Sequence, residues 1–355
     1  MKIGIFDPYL SDLGGGEKYM ITLAECLSRN NSVTVFWNRK DDLNKVAERF
    51  SLDISKLILK RNIFSPDYPF FKRCLDSLSY DAIIVLSDGS IPFVLSRKLF
   101  IHFQQPHPAV GMSLKTIFKK NRVTSFFCNS FFTKSFIDRE FRIASQVLYP
   151  PINIKTKKIK KENIILHVGR FRVVNIGLDD YKKQEVMIDV FKKMVDEGTK
   201  SWRLVLAVGL HEKDRFKFSD LQKKINGYPI EFLINLQSEE LSKIYSKSKI
   251  YWHATGYGEN LEKNPELAEH FGISTVEAMG AGAVPVVINA GGQREIVEDK
   301  ISGYLWNTLR DFIDKTNKLI KDPKLWKEMS KKAIRRAEIF SGERFCRELT
   351  NIIKW

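Results

Sequence analysis

The chain has 355 residues, a length typical of two domains, and 43% of its residues are hydrophobic, 28% charged and 12% aromatic. This composition excludes disorder, collagen and coiled coil as the main architecture. The net charge of +16 predicts attraction to an anionic partner, which could be nucleic acid, a membrane surface or a phosphorylated small molecule.

Targeting and cysteine signals are weak. No apolar run reaches the roughly 18–20 residues that span a bilayer, and Asp7 lies too close to Lys2 for a signal peptide. We therefore expect a cytoplasmic protein. The four cysteines lie far apart and form no CxxC pair, which favours buried, reduced thiols over disulfides or a zinc site. They are Cys26, Cys74, Cys128 and Cys346.

Short apolar runs alternate with helical patterns, and this alternation predicts parallel sheets covered on both faces. The strands predicted in the first half are Lys2–Phe6, Val33–Trp37, Ala82–Leu86, Leu99–Phe103 and Ser125–Cys128. Those in the second half are Ile164–Val168, Arg203–Val208, Glu231–Ile234, Lys249–His253 and Val284–Ile288. Helical spacing is clearest over Glu17–Leu27 and Lys182–Val195.

The alternation restarts after Pro150 and Pro151, where a lysine run follows that we do not expect to join a core. The sequence thus predicts an α/β protein with doubly wound, Rossmann-like domains over residues 1–150 and 151–335. A C-terminal helix over 336–355 is expected to pack back on the first domain. Ligands of such sheets bind at the carboxyl ends of the strands, so we expect functional residues in the loops that follow strands.

The first such loop contains Gly14, Gly15 and Gly16, followed by Glu17 at the start of a helix. Glycines there allow a close approach of the backbone to a ligand, and a helix N-terminus favours an anion. The dinucleotide fingerprint GxGxxG fails because Tyr19 occupies the third glycine position. The alternative interpretation is a mobile turn.

Two cations and a histidine occupy similar places. Arg170 ends a predicted strand and Lys183 begins a helix, so the pair could neutralise a diphosphate, with solvated surface charge as the alternative. His102 ends the strand Leu99–Phe103 and could be structural or catalytic. No HExxH motif or other metal-ligand spacing occurs, so a metal-dependent mechanism is not expected.

The most informative stretch is EHFGISTVEAMGAGAVPVVINAGG, which begins at Glu269. Ser274 and Glu277 have the spacing of a capping box, which gives Glu277 a structural alternative. Glu269 precedes the helix and is expected to point toward a ligand. Gly291 and Gly292 are predicted to form a turn after a buried strand.

Taken together, these motifs resemble the family 4 glycosyltransferases, retaining enzymes of GT-B fold, over nearly the whole chain. The motif from Glu269 to Glu277 carries most of this resemblance, supported by GGGEKY, HVGRF and VLYPPIN. The stretch EHFGI with NAGG looks most like transferases that build lipid-linked oligosaccharides with mannose. The resemblance implies two Rossmann-like domains that face each other across a cleft, with a C-terminal helix that crosses back to the first.

The resemblance also implies roles for individual residues. Arg170 and Lys183 would hold the donor diphosphate and stabilise it as it leaves, and Glu269 would bind hydroxyls of the donor sugar. His102 would approach the reacting sugar, with His107 as a rival. The implied donor-binding positions are Gly14, Gly15, Gly16, Phe271, Gly272, Ile273, Ser274 and Glu277, the last through the ribose hydroxyls.

The implied reaction moves a hexose of mannose or glucose type from a nucleoside-diphosphate sugar to a hydroxyl of a glycan, lipid-linked or protein-linked acceptor. It proceeds with retention, without an essential metal or other cofactor. The basic segments Pro69–Arg73 and Ser113–Arg122 could rest on an anionic membrane, or could be ordinary amphipathic elements. An epimerase or phosphorylase of the same fold, and a basic nucleic-acid-binding protein, are the weaker alternatives.

Overall fold

A computed structural model describes residues 1–12, 14–107, 114–152, 159–171 and 180–353. The chain divides into two compact units, one of which contains both ends of the sequence. Unit 1 comprises Met1–Pro151 and Gly342–Trp355, and unit 2 comprises Ile152–Ser341.

Unit 1 is built on a parallel sheet, in which the described residues form seven strands in the order β3-β2-β1-β4-β5-β6-β7. The strands are β1 (Lys2–Phe6), β2 (Ser32–Phe36), β3 (Leu57–Lys60), β4 (Ala82–Leu86), β5 (Lys98–Phe103), β6 (Ser125–Cys128) and β7 (Gln146–Val147). The order reverses beside β1, as in doubly wound sheets. All five strands predicted for this half are present.

Among the described residues, five helices lie between the strands of this sheet along the chain. They are α1 (Gly15–Ser28), α2 (Lys40–Phe50), α3 (Phe70–Leu78), α4 (Leu114–Asn121) and α5 (Phe131–Phe141). In α1 the side chains of Met20, Leu23 and Ala24 are fully buried against strand residues such as Ile3 and Ile5. This burial of continuous apolar strands explains why the alternation along the sequence predicted the sheet.

Unit 2 repeats the same design. Its described residues form six parallel strands in the order β10-β9-β8-β11-β12-β13. The strands are β8 (Glu162–Phe171), β9 (Arg203–Leu210), β10 (Ile230–Ile234), β11 (Ser248–His253), β12 (Val284–Ile288) and β13 (Tyr304–Trp306). The helices are α6 (Gln184–Asp196), α7 (Arg215–Lys223), α8 (Ser238–Lys247), α9 (Ile273–Gly280), α10 (Gln293–Ile296), α11 (Leu309–Lys321) and α12 (Pro323–Glu338).

The last helix, α13 (Gly342–Ile352), belongs to unit 1 and buries Phe345 and Leu349 in its core. A disulfide joins Cys346 of this helix to Cys26 of α1, with the two Cα atoms 5.5 Å apart. The prediction of reduced thiols is therefore wrong for this pair, since 320 residues separate two cysteines that the fold brings together. Cys74 and Cys128 are buried free thiols, as predicted.

One lysine of the basic run after Pro151 is a structural residue of unit 2. The Lys161 ammonium donates to the carbonyls of Ser248 at 2.8 Å and Ala281 at 2.6 Å, with Tyr245 O at 3.5 Å. Lys161 is half-buried, and these backbone carbonyls satisfy its charge without placing it in the apolar core. Residues 153–158 of the run lie outside the described residues.

Candidate active site

Charged side chains of unit 2 converge where β8 and β11 reach their carboxyl ends. Arg170 lies near the end of β8, His253 ends β11, and Glu269 lies on the segment that leads to α9. Lys182 and Lys183 immediately precede α6. These strands are neighbours in the sheet, so residues far apart in the sequence meet at one edge.

Lys182 and Glu269 form an ion pair at this edge. The Lys182 ammonium donates to Glu269 Oε2 at 2.8 Å, and both side chains are about four-fifths shielded from solvent. Burial by itself would raise the pKa of Glu269, but the charge of Lys182 and the hydrogen bond from His253 outweigh it and hold this pKa well below its usual range. In return, Glu269 raises the pKa of Lys182 against the opposing effects of burial and of the Arg170 charge.

His253 holds the same carboxylate oxygen from the other side. Its Nε2 lies 3.0 Å from Glu269 Oε2, and the ring is 1% exposed. Burial lowers the pKa of His253, although its hydrogen bond to Glu269 works in the opposite direction. Because a carboxylate oxygen can only accept, Nε2 carries a hydrogen and donates it to Glu269. Glu269 is thus fixed between two donors that the sequence analysis had not singled out.

The two predicted cations lie in different surroundings. The Lys183 ammonium pairs with Glu259, 2.5 Å from its Oε1, rather than with Glu269. The Lys183 backbone is left-handed, with φ of 56°, as the cap residue of α6. Arg170 pairs in register with Gly209 of β9 and lies close enough to Lys182 for their like charges to interact. Lys182, and not Lys183, therefore faces the carboxylate of Glu269.

The N-terminus of α9 lies beside this cluster. The helix begins at Ile273, and Gly272 is its cap residue with φ of 120°, a conformation that favours glycine. Ser274 is therefore inside the helix and accepts a hydrogen bond from the Tyr251 hydroxyl at 2.7 Å, so the predicted capping box is wrong. Glu277 instead accepts a hydrogen bond from the Tyr245 hydroxyl at 3.1 Å. The free N–H groups of this helix end can receive an anion.

The glycine pair after β12 supports the Glu269 segment by close packing. The Gly292 N–H donates to Glu269 O at 2.8 Å. A Cβ at Gly292 would lie 2.4 Å from the Cα of Phe271, and one at Gly291 would lie 2.3 Å from Glu269 O. Only glycine fits at either position, which explains why two glycines follow this strand.

Within unit 1, the predicted glycines lie between β1 and the start of α1. Gly15 and Gly16 begin α1, and the Glu17 carboxylate accepts a hydrogen bond from the Gly14 N–H. Gly16 packs so closely that a Cβ would lie 2.6 Å from Gln104 Oε1. Nearby, burial and the Glu17 charge raise the pKa of Asp7 to about 8. The glycine loop is therefore anchored by Glu17.

His102 is packed inside unit 1. Its ring is stacked between Tyr19 and Phe127, with centroid distances of 4.2 and 4.5 Å, and its Nδ1 donates to Phe127 O at 3.1 Å. Burial lowers its pKa to about 3, so the ring is neutral. This packing gives His102 a structural role, and its catalytic role stays a prediction. The rival, His107, is partly exposed, and burial lowers its pKa as well.

Comparison with known families decides how this site is classified. The family model for glycosyl transferases group 1 matches residues 151–336, which include Arg170, Lys182, His253 and Glu269. The chain belongs to this family.

Curated relatives of this glycosyltransferase include two mannosyltransferases of Dictyostelium discoideum. One is GDP-Man:Man(3)GlcNAc(2)-PP-Dol alpha-1,2-mannosyltransferase, 27% identical over 228 residues, which cover 59% of this chain and 42% of that protein. The other is alpha-1,3/1,6-mannosyltransferase ALG2, 26% identical over an alignment that covers 100% of this chain and 98% of the relative. The chain thus spans less than half the length of the first relative.

Solved structures share the fold of this glycosyltransferase along its whole length. Anabaena HepE in complex with UDP matches with a TM-score of 0.77 at 18% identity, covering 99% of both chains. A glycosyltransferase of Rickettsia africae matches with a TM-score of 0.76 at 14% identity, covering 99% of this chain and 98% of that one. The predicted GT-B fold is confirmed.

Two residues of this glycosyltransferase site were missed from the sequence. Lys182 is adjacent to a second lysine, and helical spacing does not tell which of the two ammonium groups turns toward Glu269. His253 ends a buried strand, and its position was visible in the sequence. Its partner Glu269 lies sixteen residues further along the chain, so the sequence did not indicate that they meet.

Proposed function

We propose that this chain transfers a hexose of mannose or glucose type from a nucleoside-diphosphate sugar to a hydroxyl of a lipid-linked glycan, with retention and without an essential metal. A protein-linked or free glycan is the second kind of acceptor that the motifs allow. The observation that carries the proposal is the Lys182–Glu269 ion pair at the carboxyl ends of the strands, with Arg170 close to Lys182 and the α9 N-terminus following Glu269 in the chain.

The proposed reaction builds negative charge on the leaving diphosphate and positive charge on the sugar. Cations and helix N–H groups fixed in advance stabilise the diphosphate oxygen more in the transition state than in the ground state. Arg170 and Lys182 supply the cations. Lys183 pairs with Glu259, and we propose that this ion pair holds the segment after β11 in position. With two cations present, a metal is not required for charge neutralisation.

In the proposed Michaelis complex the Lys182 ammonium leaves Glu269 and pairs with the diphosphate instead. Glu269 then keeps His253 as a donor and turns its free oxygen lone pairs to hydroxyls of the sugar. The acceptor hydroxyl attacks the anomeric carbon from the face of the leaving group, and a diphosphate oxygen receives its proton. Glu277, at the side of α9, would bind the ribose.

The relatives support a lipid-linked acceptor. The names of the two Dictyostelium enzymes describe mannosyltransferases, and one name includes a dolichyl-diphosphate-linked glycan. A lipid-linked acceptor is presented at a membrane, so we propose peripheral contact with an anionic cytoplasmic membrane face. Within the described residues, no helix combines the length and apolarity needed to cross a bilayer.

The first test is calorimetric titration of the full chain with GDP and UDP in EDTA, followed by product analysis. We expect saturable binding of one nucleotide and, with the matching sugar donor and a diphosphate-linked glycan acceptor, a product whose anomeric configuration matches the donor by NMR. Arg170→Ala should lose roughly 2–4 kcal/mol of transition-state stabilisation. An inverted product, a strict metal requirement or near-normal turnover by Arg170→Ala would contradict the proposal.

A further inference from the structure

Unit 1 exposes an apolar face on α3 that its fold does not cover. Phe71, Leu75 and Leu78 lie at positions i, i+4 and i+7 of this helix and are 82%, 66% and 57% exposed. The opposite face of the same helix places Cys74 and Ser77 in the core. Large exposed hydrophobic side chains at helical spacing are unusual in a soluble domain and indicate an interaction surface.

Aromatic rings extend this face to two other segments of unit 1. Phe70 is stacked on Phe93 with a centroid distance of 5.8 Å, and Phe93 is stacked on Phe118 of α4 at 6.2 Å. Phe70 is 47% exposed and Phe118 62% exposed. Side chains from three parts of the sequence therefore form one connected apolar surface.

Basic residues neighbour the apolar ones along both helices. Lys72 is exposed on α3, and the Arg73 guanidinium lies 5.4 Å from the Phe70 ring centre. On the α4 side the chain supplies Lys119 and the exposed Arg122. We call this set the aromatic–basic surface. It consists of Phe70, Phe71, Leu75, Leu78, Phe93 and Phe118 with Lys72, Arg73, Lys119 and Arg122.

We propose that the aromatic–basic surface docks this protein on an anionic lipid bilayer. The side chains of Phe71, Leu75 and Phe118 insert at the boundary between headgroups and acyl chains, where aromatic rings are favoured. Lys72 and Lys119 contact lipid phosphates. Charge complementarity favours this occupant, because the chain carries 58 Lys and Arg against 42 Asp and Glu, and basic residues follow the apolar ones directly on both α3 and α4.

This inference rests on the proposed function in one respect: docking would bring the enzyme to a lipid-linked acceptor. Neither the donor site of unit 2 nor the predicted residues at the end of β1 belong to the surface. Docking and transfer can therefore be measured separately on the full chain.

The test is flotation with phosphatidylcholine vesicles, with and without phosphatidylglycerol. We expect binding to the anionic vesicles that weakens as salt is raised, because ions screen the headgroup charge. The double variant Phe71→Ser/Leu75→Ser should bind about tenfold or more weakly, and so should Lys72→Glu/Lys119→Glu. Phe216→Ser is the matched control, because Phe216 is 83% exposed on α7 of unit 2 and should bind like the wild type.

Three results would overturn the docking proposal: no flotation of the wild type, equal binding to neutral vesicles, or equal loss in the Phe216 control. A change of oligomeric state in the Phe71→Ser/Leu75→Ser variant, without loss of vesicle binding, would assign the surface to self-association instead. Transfer to a water-soluble acceptor without a lipid tail separates the two proposals. Activity there without flotation contradicts docking and the membrane contact proposed above, and leaves the proposed transfer reaction standing. Flotation without any transfer contradicts the proposed reaction and leaves docking standing.

Discussion

The Lys182 ammonium lies 2.8 Å from Glu269 Oε2, although 87 residues separate the two in the sequence. Lys183, the next residue, extends its ammonium to Glu259 instead. The left-handed backbone at Lys183 turns consecutive side chains to different partners at the start of α6. Two adjacent lysines therefore have separable roles, which makes them a matched pair for mutation.

We expect Lys182→Ala to lower kcat/KM by roughly 100- to 1000-fold, the usual cost of removing one fixed donor to a developing oxyanion. Lys183→Ala should cost about tenfold or less, because it removes an ion pair with Glu259 and leaves the cation that faces Glu269 in place. Steady-state kinetics of both variants, with circular dichroism to confirm folding, measures this. The opposite order would return the diphosphate role to Lys183, as the motif first indicated.

The two glutamates of the motif should separate in the same way. Glu269→Ala is expected to impair transfer far more than nucleotide affinity, because its carboxylate is aimed at the sugar hydroxyls. Glu277→Ala should instead weaken nucleotide binding, since this side chain lies further along α9 and holds the Tyr245 hydroxyl. Nucleotide Kd values by calorimetry beside kcat values distinguish the two. A pure loss of nucleotide affinity in Glu269→Ala would reverse the assignment.

Most of the fold could be predicted from the sequence, because buried parallel strands are continuous apolar runs. All ten predicted strands are present, with ends that differ by at most three residues, as for Ile164–Val168 within β8. The missed strands lie at sheet edges. The residues of β3 are only half-buried or exposed, while β7 and β13 have two and three residues, too few to show a period.

The candidate site could be predicted only in part, because contacts between residues distant in the sequence leave no local sequence pattern. The motif indicated Glu269, and the glycines after β12 indicated a turn. The capping box failed because the cap residue of α9 is Gly272, two positions before the Ser274 that the pattern requires, which places Ser274 inside the helix. The choice between Lys182 and Lys183 and the pairing of Cys26 with Cys346 depend on the tertiary fold alone.

Gly292 is predicted to be intolerant of even one added carbon. Its φ is −67°, so alanine is allowed by the backbone, but the new Cβ would lie 2.4–2.6 Å from the Phe271 and His270 backbone. Gly292→Ala should therefore displace the Glu269 segment and lower nucleotide affinity at least tenfold. Gly227→Ala is the control for a strained glycine substitution without a clash, because nothing lies within 4 Å of its Cβ position but its φ is 82°. It should lower stability and leave nucleotide affinity unchanged, since Gly227 precedes β10 at the amino end of that strand. Equal nucleotide affinity in the two variants would contradict this account.

The Cys26–Cys346 disulfide should stabilise unit 1 through its C-terminal helix. We expect Cys346→Ser to lower the free energy of unfolding by about 2–4 kcal/mol, as for other cross-links that close long loops. Dithiothreitol should destabilise the wild type by a similar amount and leave the variant unchanged. Urea unfolding with and without reductant measures both. A wild type that is insensitive to reductant and titrates with four free thiols, one more than the variant, would show that the bond does not form.

A substitution of His102 distinguishes a structural role of this residue from a catalytic one. Its pKa is about 3 in the folded chain and 6.5 as the ordinary value, so the unfolded state binds more protons between these two pH values. The contribution of His102 to stability is therefore present above pH 6.5 and is lost as pH falls toward 3.

His102→Phe keeps a ring between Tyr19 and Phe127 but removes this titration and the donor to Phe127 O. The variant should be about 1–2 kcal/mol less stable at neutral pH, and its stability should fall less steeply with acid than that of the wild type. Urea unfolding across this pH range measures the difference, and transfer assays at neutral pH supply the second readout. If His102 is structural, the folded variant keeps most of its activity. A folded but inactive variant would show that the catalytic role first predicted for this histidine is real.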